Sequence, residues 1–531
     1  MVLRRFPVKF SLLASSALLT GLCFAWHNVW FPAFFTLVPA LLVMLSESGV
    51  TDKKPFRFYG YGYFFGVVFF AAVFQWFRYQ YPLEYLGFSK GEAVAYVALS
   101  WFGSGFILSL LLSFFFLFTG LFLRSGLAKK HRWLFIPFSS ACWVLTEYAF
   151  TLGKLATPWA RLAVTQQSNT LFIQSASLFG SYFISALIVA VNASLSLGVY
   201  ALITEKNVKK CGIFALAAAL VFLSDTALGA ILYTVDLDRE KNADRMSVSA
   251  LQGNMISGRA ELSLPETLEL FLDMSEEQIN DTGAELIVMP EGCFNMDLAQ
   301  SPATESIIKS FAKEHSVSLI FGAYEYADDG FYNVTWCVDP DGTLTGPYRK
   351  QHPVPFGEFT PARDLILKLM PFLEDVTNIG DDLSAGKEST VFETQRGTVG
   401  AFICFDSAFE NIGFRETAKG ALLLTESTND SWWMDSAQLY EHNGHAVLRA
   451  VEARRWYVRS SSAGYSTVID ARGVTVDGVP ALTAGFASSD AALRRDISFY
   501  HRTPYLFPAL CLIVFAGGLI YAFIFEKRSK Q

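Results

Sequence analysis

The chain is short of charge. Of its 531 residues only 17% are Asp, Glu, Lys or Arg, while 52% are hydrophobic; soluble proteins carry roughly a quarter charged residues. That shortage points to a membrane. Cysteine is scarce as well. The seven cysteines (23, 142, 211, 293, 337, 404 and 511) form no CxxC pair, and four lie in strongly apolar segments. Neither a disulfide framework nor a zinc cluster is expected. No internal repeat or low-complexity tract is present. Basic residues are missing where a nucleic acid would need them: residues 245–502 hold 20 Lys+Arg against 37 Asp+Glu, leaving 22 and 12 for the rest of the chain. An acidic region repels phosphate backbones, so nucleic acid is excluded as a partner.

What is present is a set of long apolar runs. Candidate spans lie at 10–26, 29–46, 58–77, 93–123, 133–150, 171–203, 211–233 and 505–525. A helix crosses a bilayer in about 20 residues, so the runs at 93–123 and 171–203 should tilt or continue past the hydrocarbon edge. Eight spans result. Lys and Arg stay on the cytoplasmic side, and they alternate loop by loop. One set carries Arg4, Arg5, Lys9, Lys53, Lys54, Arg57, Arg124, Lys129, Lys130, Arg132, Lys206, Lys209, Lys210, Lys527, Arg528 and Lys530. The opposite short loops carry only Arg78, Lys90, Lys154 and Arg161. This pattern predicts cytoplasmic termini and an outer-face region between spans seven and eight, in the periplasm of a Gram-negative cell. The expected organisation is a membrane domain at 1–233 with seven spans, a linker at 234–244, a catalytic domain at 245–497, and an eighth span with its tail at 498–531.

The outer region alternates strand-like and helix-like segments, the signature of an α/β domain with a mixed sheet. Strands are expected at Met246–Leu251, Glu285–Pro290, Val317–Tyr324, Val399–Cys404, Ala421–Thr425, Trp456–Ser461 and Ser466–Asp470, with a hairpin around Asp339-Pro-Asp-Gly342. Helices are expected near Pro265–Asn280, Thr304–His315 and Ser436–Ala453, and a long surface excursion at 361–390.

Three residues at strand ends make a chemically complete set for acyl transfer through a thioester. Cys404 ends an apolar strand, Glu291 follows Leu286-Ile-Val-Met-Pro290, and Lys350 follows the hairpin. A carboxylate can take the thiol proton and return it later. An ammonium favours a thiolate and stabilises an oxyanion. On residue type alone, Cys404 reads more readily as a packed small hydrophobe. Cys293, two residues after Glu291, has no basic neighbour and reads as pocket lining. His442 and His445, with Glu441, lack a further ligand group for a metal and read as part of a solvated or lid-facing helix. No metal or cofactor is expected.

The residues quoted next carry a family likeness. Met289-Pro-Glu291, Tyr348-Arg-Lys350-Gln-His-Pro-Val-Pro-Phe-Gly-Glu358 and Ile403-Cys404-Phe-Asp406 resemble the Glu–Lys–Cys pattern of the nitrilase (carbon–nitrogen hydrolase) superfamily. The run from Lys350 to Glu358, with Thr428-Asn-Asp-Ser-Trp432, resembles the apolipoprotein N-acyltransferases, bacterial membrane enzymes with eight spans and a nitrilase-like domain between spans seven and eight. The resemblance covers nearly the whole chain. It implies an αββα sandwich, with Glu291 as general base, Lys350 on the oxyanion, Cys404 as the acylated nucleophile and Glu358 supporting them. Many members have Cys-Tyr-Glu where this chain has Cys404-Phe405-Asp406, and a tryptophan common after the first strand is missing from Gln252–Arg259.

The implied reaction moves an acyl group from a phospholipid, phosphatidylethanolamine in the first instance, to Cys404. From there it passes to the α-amino group of a diacylglyceryl-cysteine at an apolipoprotein N-terminus. An acyl chain leaves lipid at a cost of about 0.8 kcal/mol per methylene, so the thiol should sit at the membrane surface. The outer loops Tyr79–Gly91 and Thr151–Thr170 then serve either as interfacial anchors or as an acyl-chain entrance. Trp432-Trp433-Met434 is a candidate substrate-binding lid, or else core. Two other readings use the same residues: a membrane-bound nitrilase-type amidase with water as acceptor, and a non-catalytic membrane scaffold.

Overall fold

The computed structural model describes residues 5–49, 54–83, 85, 87–257, 262–364, 368 and 382–528, with side chains of the last helix described to Ala522. Arg4, Lys53, Arg259 and Lys530, and most of the excursion expected at 361–390, lie outside the described residues.

Six described helices are long and apolar enough to cross a membrane: Phe6–Ala25, Phe31–Ser48, Arg57–Gln80, Lys90–Arg124, Ser181–Thr204 and Val208–Glu240. Two shorter apolar helices, Phe135–Ala149 and the described part Leu506–Ala522 of the C-terminal helix, pack against each other beside them. The run expected as one long span at 171–203 is broken instead. Short helical turns at Phe172–Ser175 and Ala176–Phe179 end at Gly180, whose φ of 78° suits glycine, and the Ser181–Thr204 helix starts anew. A Cβ on Gly180 would also run into the Tyr500 ring, so the left-handed turn and the close approach both require glycine here.

The Val208–Glu240 helix has 33 residues, about 50 Å at 1.5 Å per residue, more than a bilayer's hydrocarbon depth. Its far end is buried in the α/β domain that follows. Glu240 accepts from the Trp456 indole at 2.7 Å and from Arg472 at 2.6 Å, and Asp236 accepts from Arg494 at 3.1 Å. The segment 234–244, expected as a linker, is thus helical through Glu240 and docked.

Among the described residues, the region after Glu240 contains twelve strands: β1 (Arg245–Gln252), β2 (Leu286–Val288), β3 (Ser318–Ala327), β4 (Gly330–Val338), β5 (Leu344–Arg349), β6 (Val391–Thr394), β7 (Gly397–Ile403), β8 (Leu423–Thr428), β9 (Tyr457–Ser461), β10 (Ser466–Ile469), β11 (Thr475–Val479) and β12 (Gly485–Ala492). They form two six-stranded sheets, ordered β12-β1-β2-β3-β4-β5 and β11-β10-β9-β8-β7-β6. Each has three parallel strands at its heart, β1–β2–β3 and β7–β8–β9, flanked by antiparallel ones. The single mixed sheet expected from the strand pattern is therefore two, stacked face to face.

Strand alternation explains the layers. On β1, Val248 and Ala250 enter a core shared with Val399, Ala401 and Ile403 of β7. Leu251 turns the other way, to a core under the helices Leu264–Thr282 and Pro302–His315. On β7, Phe402 turns outward to the helix layer of Glu410–Ala418 and Ala437–Ala453. The order is helix, sheet, sheet, helix, an αββα sandwich. Phe402, Phe405, Phe409 and Ala446–Ala453 belong to the same continuous apolar core as the membrane helices. One helix layer of the sandwich is thereby fused to the membrane domain. Buried polar links reinforce the joint: Arg161 pairs with Glu410 at 2.9 Å, Tyr182 donates to Glu410 at 2.6 Å, and Arg454 donates to Gln174 at 2.6 Å.

Candidate active site

In open α/β sheets, functional groups gather beyond the carboxyl ends of parallel strands. Here β2 leads to Glu291, β7 ends at Cys404 and β8 leads to Asn429, while the antiparallel β5 delivers Lys350 to the same point. Gly322 on β3 makes room for the Glu291 loop, since a Cβ there would collide with Pro290 O and Gly292 N.

The expected residues Glu291, Lys350 and Glu358 meet directly. Lys350 Nζ donates to Glu291 Oε1 at 2.8 Å and to Glu358 Oε1 at 2.6 Å. Glu291 accepts two more bonds, from Asn333 Nδ2 at 2.7 Å and from the Asn429 N–H at 2.8 Å. Glu358 Oε2 accepts from the Val354 N–H at 2.7 Å. Glu291 thus accepts three hydrogen bonds and Glu358 two. Burial alone would lower the Lys350 ammonium, but the charges of Glu291 and Glu358 outweigh it and hold the pKa well above the usual range. Burial and the adjacent Glu291 push the Glu358 carboxyl up, against the Lys350 charge that lowers it.

Cys404 stands in the field of the same groups. Burial, then the negative charge of Glu291, push its thiol well above the ordinary value, with Lys350 pulling the other way. Cys404 is partly accessible and adopts φ 49°, in the left-handed region that β-carbon-bearing residues rarely occupy.

Asp406 and Phe405 do not line the reacting groups in the way Glu291 and Lys350 do. Asp406 is fully buried and acts as a strut, accepting from Tyr348 Oη at 2.8 Å and from the His352 and Gln351 N–H groups at 2.9 and 3.3 Å. It ties the Lys350 loop to the Cys404 turn. Burial raises its carboxyl to about 6 despite Lys350 and these donors. Phe405 stacks on Trp159 at 5.9 Å and meets Phe409 edge-on at 5.4 Å. Of the proposed lid, Trp433 packs against Trp76 and Phe77 at 4.4 and 5.3 Å, Trp432 is 37% exposed near Tyr85, and Met434 has φ 51°. The loop at Thr151–Thr170 is no simple anchor, because Trp159 and Leu162 are buried in the core shared by the α/β domain and the membrane helices.

Cys293 is buried, its Sγ 3.5 Å from Gly322 O, and burial pushes it up to about 12. The helix Ala437–Ala453 corrects the expectation of a solvated or lid-facing element. Glu441, His442 and His445 are at most 1% exposed. The helix lies between the second sheet and the membrane domain, so its polar face is buried as well. His442 bonds the backbone carbonyl of Cys404 at 3.0 Å and Asp430 at 2.7 Å. Glu441 accepts the indole N–H groups of Trp159 and Trp76 at 2.7 and 3.3 Å. Asp430 stood in a quoted motif without a role; nothing in the local pattern marked His442.

Fold and site together define a membrane-embedded enzyme of the carbon–nitrogen hydrolase type. Residues 247–495 match the carbon-nitrogen hydrolase family, and residues 16–194 match the apolipoprotein N-acyltransferase N-terminal domain. The chain is 29% identical over 443 residues to an apolipoprotein N-acyltransferase of Gloeobacter violaceus, covering 83% of this chain and 80% of that one. It is 26% identical over 525 residues to an apolipoprotein N-acyltransferase of Geobacter metallireducens, covering 97% and 95%. Among solved structures it is similar to Saccharomyces cerevisiae Nit3, a member of the nitrilase superfamily, at 19% identity and TM-score 0.38, covering 50% of this chain and 96% of that one. The chain belongs to the apolipoprotein N-acyltransferase family, membrane enzymes that N-acylate lipoproteins.

Proposed function

We propose that the acyl donor is a membrane phospholipid, phosphatidylethanolamine in the first instance, and that the acyl group passes through a thioester on Cys404. The observation that carries this reading is the Glu291–Lys350–Glu358 cluster beside a partly accessible thiol, in a domain whose helix layer shares its core with the membrane helices.

In the first half-reaction Glu291 takes the Cys404 proton as sulfur attacks the ester carbonyl. Lys350 faces the oxyanion that develops. The carbon–oxygen bond breaks, the leaving alkoxide takes the proton from Glu291, and a lysophospholipid departs. In the second, the α-amino group of a diacylglyceryl-cysteine attacks the thioester and gives a proton to Glu291. The carbon–sulfur bond breaks, the proton returns to sulfur, and an amide remains. Water must be kept out, because it would consume the same thioester. In this reading Glu358 holds Lys350 in place, while Trp432, Trp433 and Met434 border the acyl chain. The catalytic domain spans 245–497, on the outer face of a bacterial cytoplasmic membrane with both termini in the cytoplasm.

Intact-mass analysis after incubation with phosphatidylethanolamine should show one acyl adduct that is lost in Cys404→Ser. Addition of a diacylated lipopeptide should then discharge it with N-acylation of the peptide. Free fatty acid without lipopeptide acylation would overturn the transferase reaction. A thiol tag placed in 245–497 should label in intact spheroplasts; labelling only after lysis would invert the topology.

A further inference from the structure

His442 bonds the backbone of Cys404. Its Nε2 faces two acceptors, the Cys404 carbonyl oxygen at 3.0 Å and Glu426 Oε1 at 3.2 Å, so Nε2 carries a proton and donates. Its Nδ1 lies 2.7 Å from Asp430 Oδ1 and 2.8 Å from Arg459 Nη2. Arg459 in turn grips Asp430 at 2.5 Å and Glu426 at 3.3 Å. The four side chains are all at most 1% exposed, so the imidazole has little room to turn.

The carbonyl that His442 holds belongs to the Cys404–Phe405 peptide. A peptide is a rigid plane, and the opposite edge of this one is the Phe405 N–H, the first backbone donor after the nucleophile. A hydrogen bond to the carbonyl fixes where that N–H points and polarises it into a better donor. Fixing the plane also helps maintain the left-handed φ of Cys404. We infer that His442 is a positioning residue for acylation, setting the Cys404–Phe405 peptide so that the Phe405 N–H meets the oxyanion together with Lys350. The inference rests on Cys404 being the acylated nucleophile.

A competing use of the same atoms is a metal site, since Cys404, Asp430 and His442 present ligand atoms within 4.8 Å of one another. Arg459 argues against it. Its guanidinium already occupies the cation position against Asp430 and His442 Nδ1.

The test separates oxyanion formation from thiol reactivity. Acylation by phosphatidylethanolamine micelles builds an oxyanion, whereas alkylation of Cys404 by a haloacetamide builds none. In His442→Asn, the acyl-adduct rate should fall by about tenfold or more while alkylation stays within about threefold. His442→Gln, whose amide nitrogen reaches the Nε2 position, should restore acylation to within about threefold of the wild-type rate. Wild-type acylation in His442→Asn, or equal loss of both rates, overturns the inference. So does His442→Gln acylating as slowly as His442→Asn. If His442→Asn fails to fold, His442→Gln at unchanged Tm decides alone, a tenfold loss being contrary. A wild-type protein that alkylates at Cys404 yet never forms the acyl adduct sinks the nucleophile reading itself, and this inference with it.

Discussion

Two clusters meet at Cys404: Lys350 with Glu291 and Glu358, and Arg459 with Asp430, Glu426 and His442. Both groups are cations packed among carboxylates, and both are buried. Their attachments differ. The first cluster hangs on loops beyond β2 and β5 and reaches the partly accessible thiol, with the Glu358 side chain still 20% exposed. The second cluster grips backbone, its groups at most 1% exposed. Lysine, a compact charge with free donors, suits the cluster where a negative oxygen comes and goes. Arginine, a rigid fork, suits the cluster where Asp430 and Glu426 must not move. Burial raises the Asp430 carboxyl in principle, yet Arg459 overrides it and holds the group below the carboxylate range. In the proposed reaction, similar parts therefore serve as reactants in one cluster and as a frame in the other.

The sharpest way to break that contrast is to remove each cation. Lys350→Met leaves Glu291 and Glu358 facing each other without a counter-charge. Stability in detergent should fall by about 3–5 kcal/mol, as for other broken buried pairs, and acylation by about a thousandfold. Adding Glu358→Gln should recover much of the stability and none of the acylation. Arg459→Met should cost a similar amount of stability but slow acylation only about as much as His442→Asn, about tenfold. Tm and intact-mass kinetics on the three variants decide the matter. Equal acylation losses for the two cations would erase the distinction.

The reactant cluster was legible in the sequence and the frame was not. Glu291, Lys350 and Cys404 each follow a β-strand pattern, where an isolated polar residue stands out, and the run to Glu358 carried the family likeness. His442 sits in Ala437–Ala453, whose polar residues gather mostly on one face, as on a solvent-facing helix; only the packing of that helix between a sheet and a membrane domain makes its histidine an internal group. The same limit applied to the fold. β12 is Gly-Phe-Ala-Ser-Ser-Asp-Ala-Ala, with almost no β-branched residue, and its place beside β1 comes from pairing rather than propensity. The break at Gly180 was hidden because apolar residues continue on both sides of it.

A pH experiment probes the boundary between the frame and the membrane domain. Burial raises the Glu441 carboxyl from the ordinary 4.5 to about 8, although the Trp159 and Trp76 indoles pull it down. In the unfolded chain it ionises near its ordinary value. Between these limits the folded state binds the extra proton, so its contribution to stability is lost as pH rises from about 4.5 to about 8. Glu441→Gln keeps an acceptor for the indoles and removes the titration. Its Tm should fall less than the wild-type Tm between pH 5 and pH 8, with a difference on the order of a few kcal/mol. Asp406 and Glu416, raised to about 6 and about 8, should leave a residual slope of the same sign in both proteins. Parallel curves would mean that Glu441 does not titrate in the fold.

The smallest effect belongs to the other thiol near the Glu291 loop. Cys293 follows Glu291 by two residues, yet its Sγ points to Gly322 O at 3.5 Å and packs with Met289, Phe294 and Leu319 in the core beneath the first sheet. Burial leads among the causes that push it up to about 12, and none of the charges acting on Cys404 is brought to bear on it. Cys293→Ala removes one heavy atom from a packed site and should cost about 1 kcal/mol, in the range of other single-group deletions. The rate and mass of the acyl adduct should stay within about twofold of wild type, a difference of under half a kcal/mol. An adduct that disappeared with Cys293 and survived in Cys404→Ser would exchange the two thiols' roles. It would also turn the cluster on Lys350 towards a sulfur that the fold has buried.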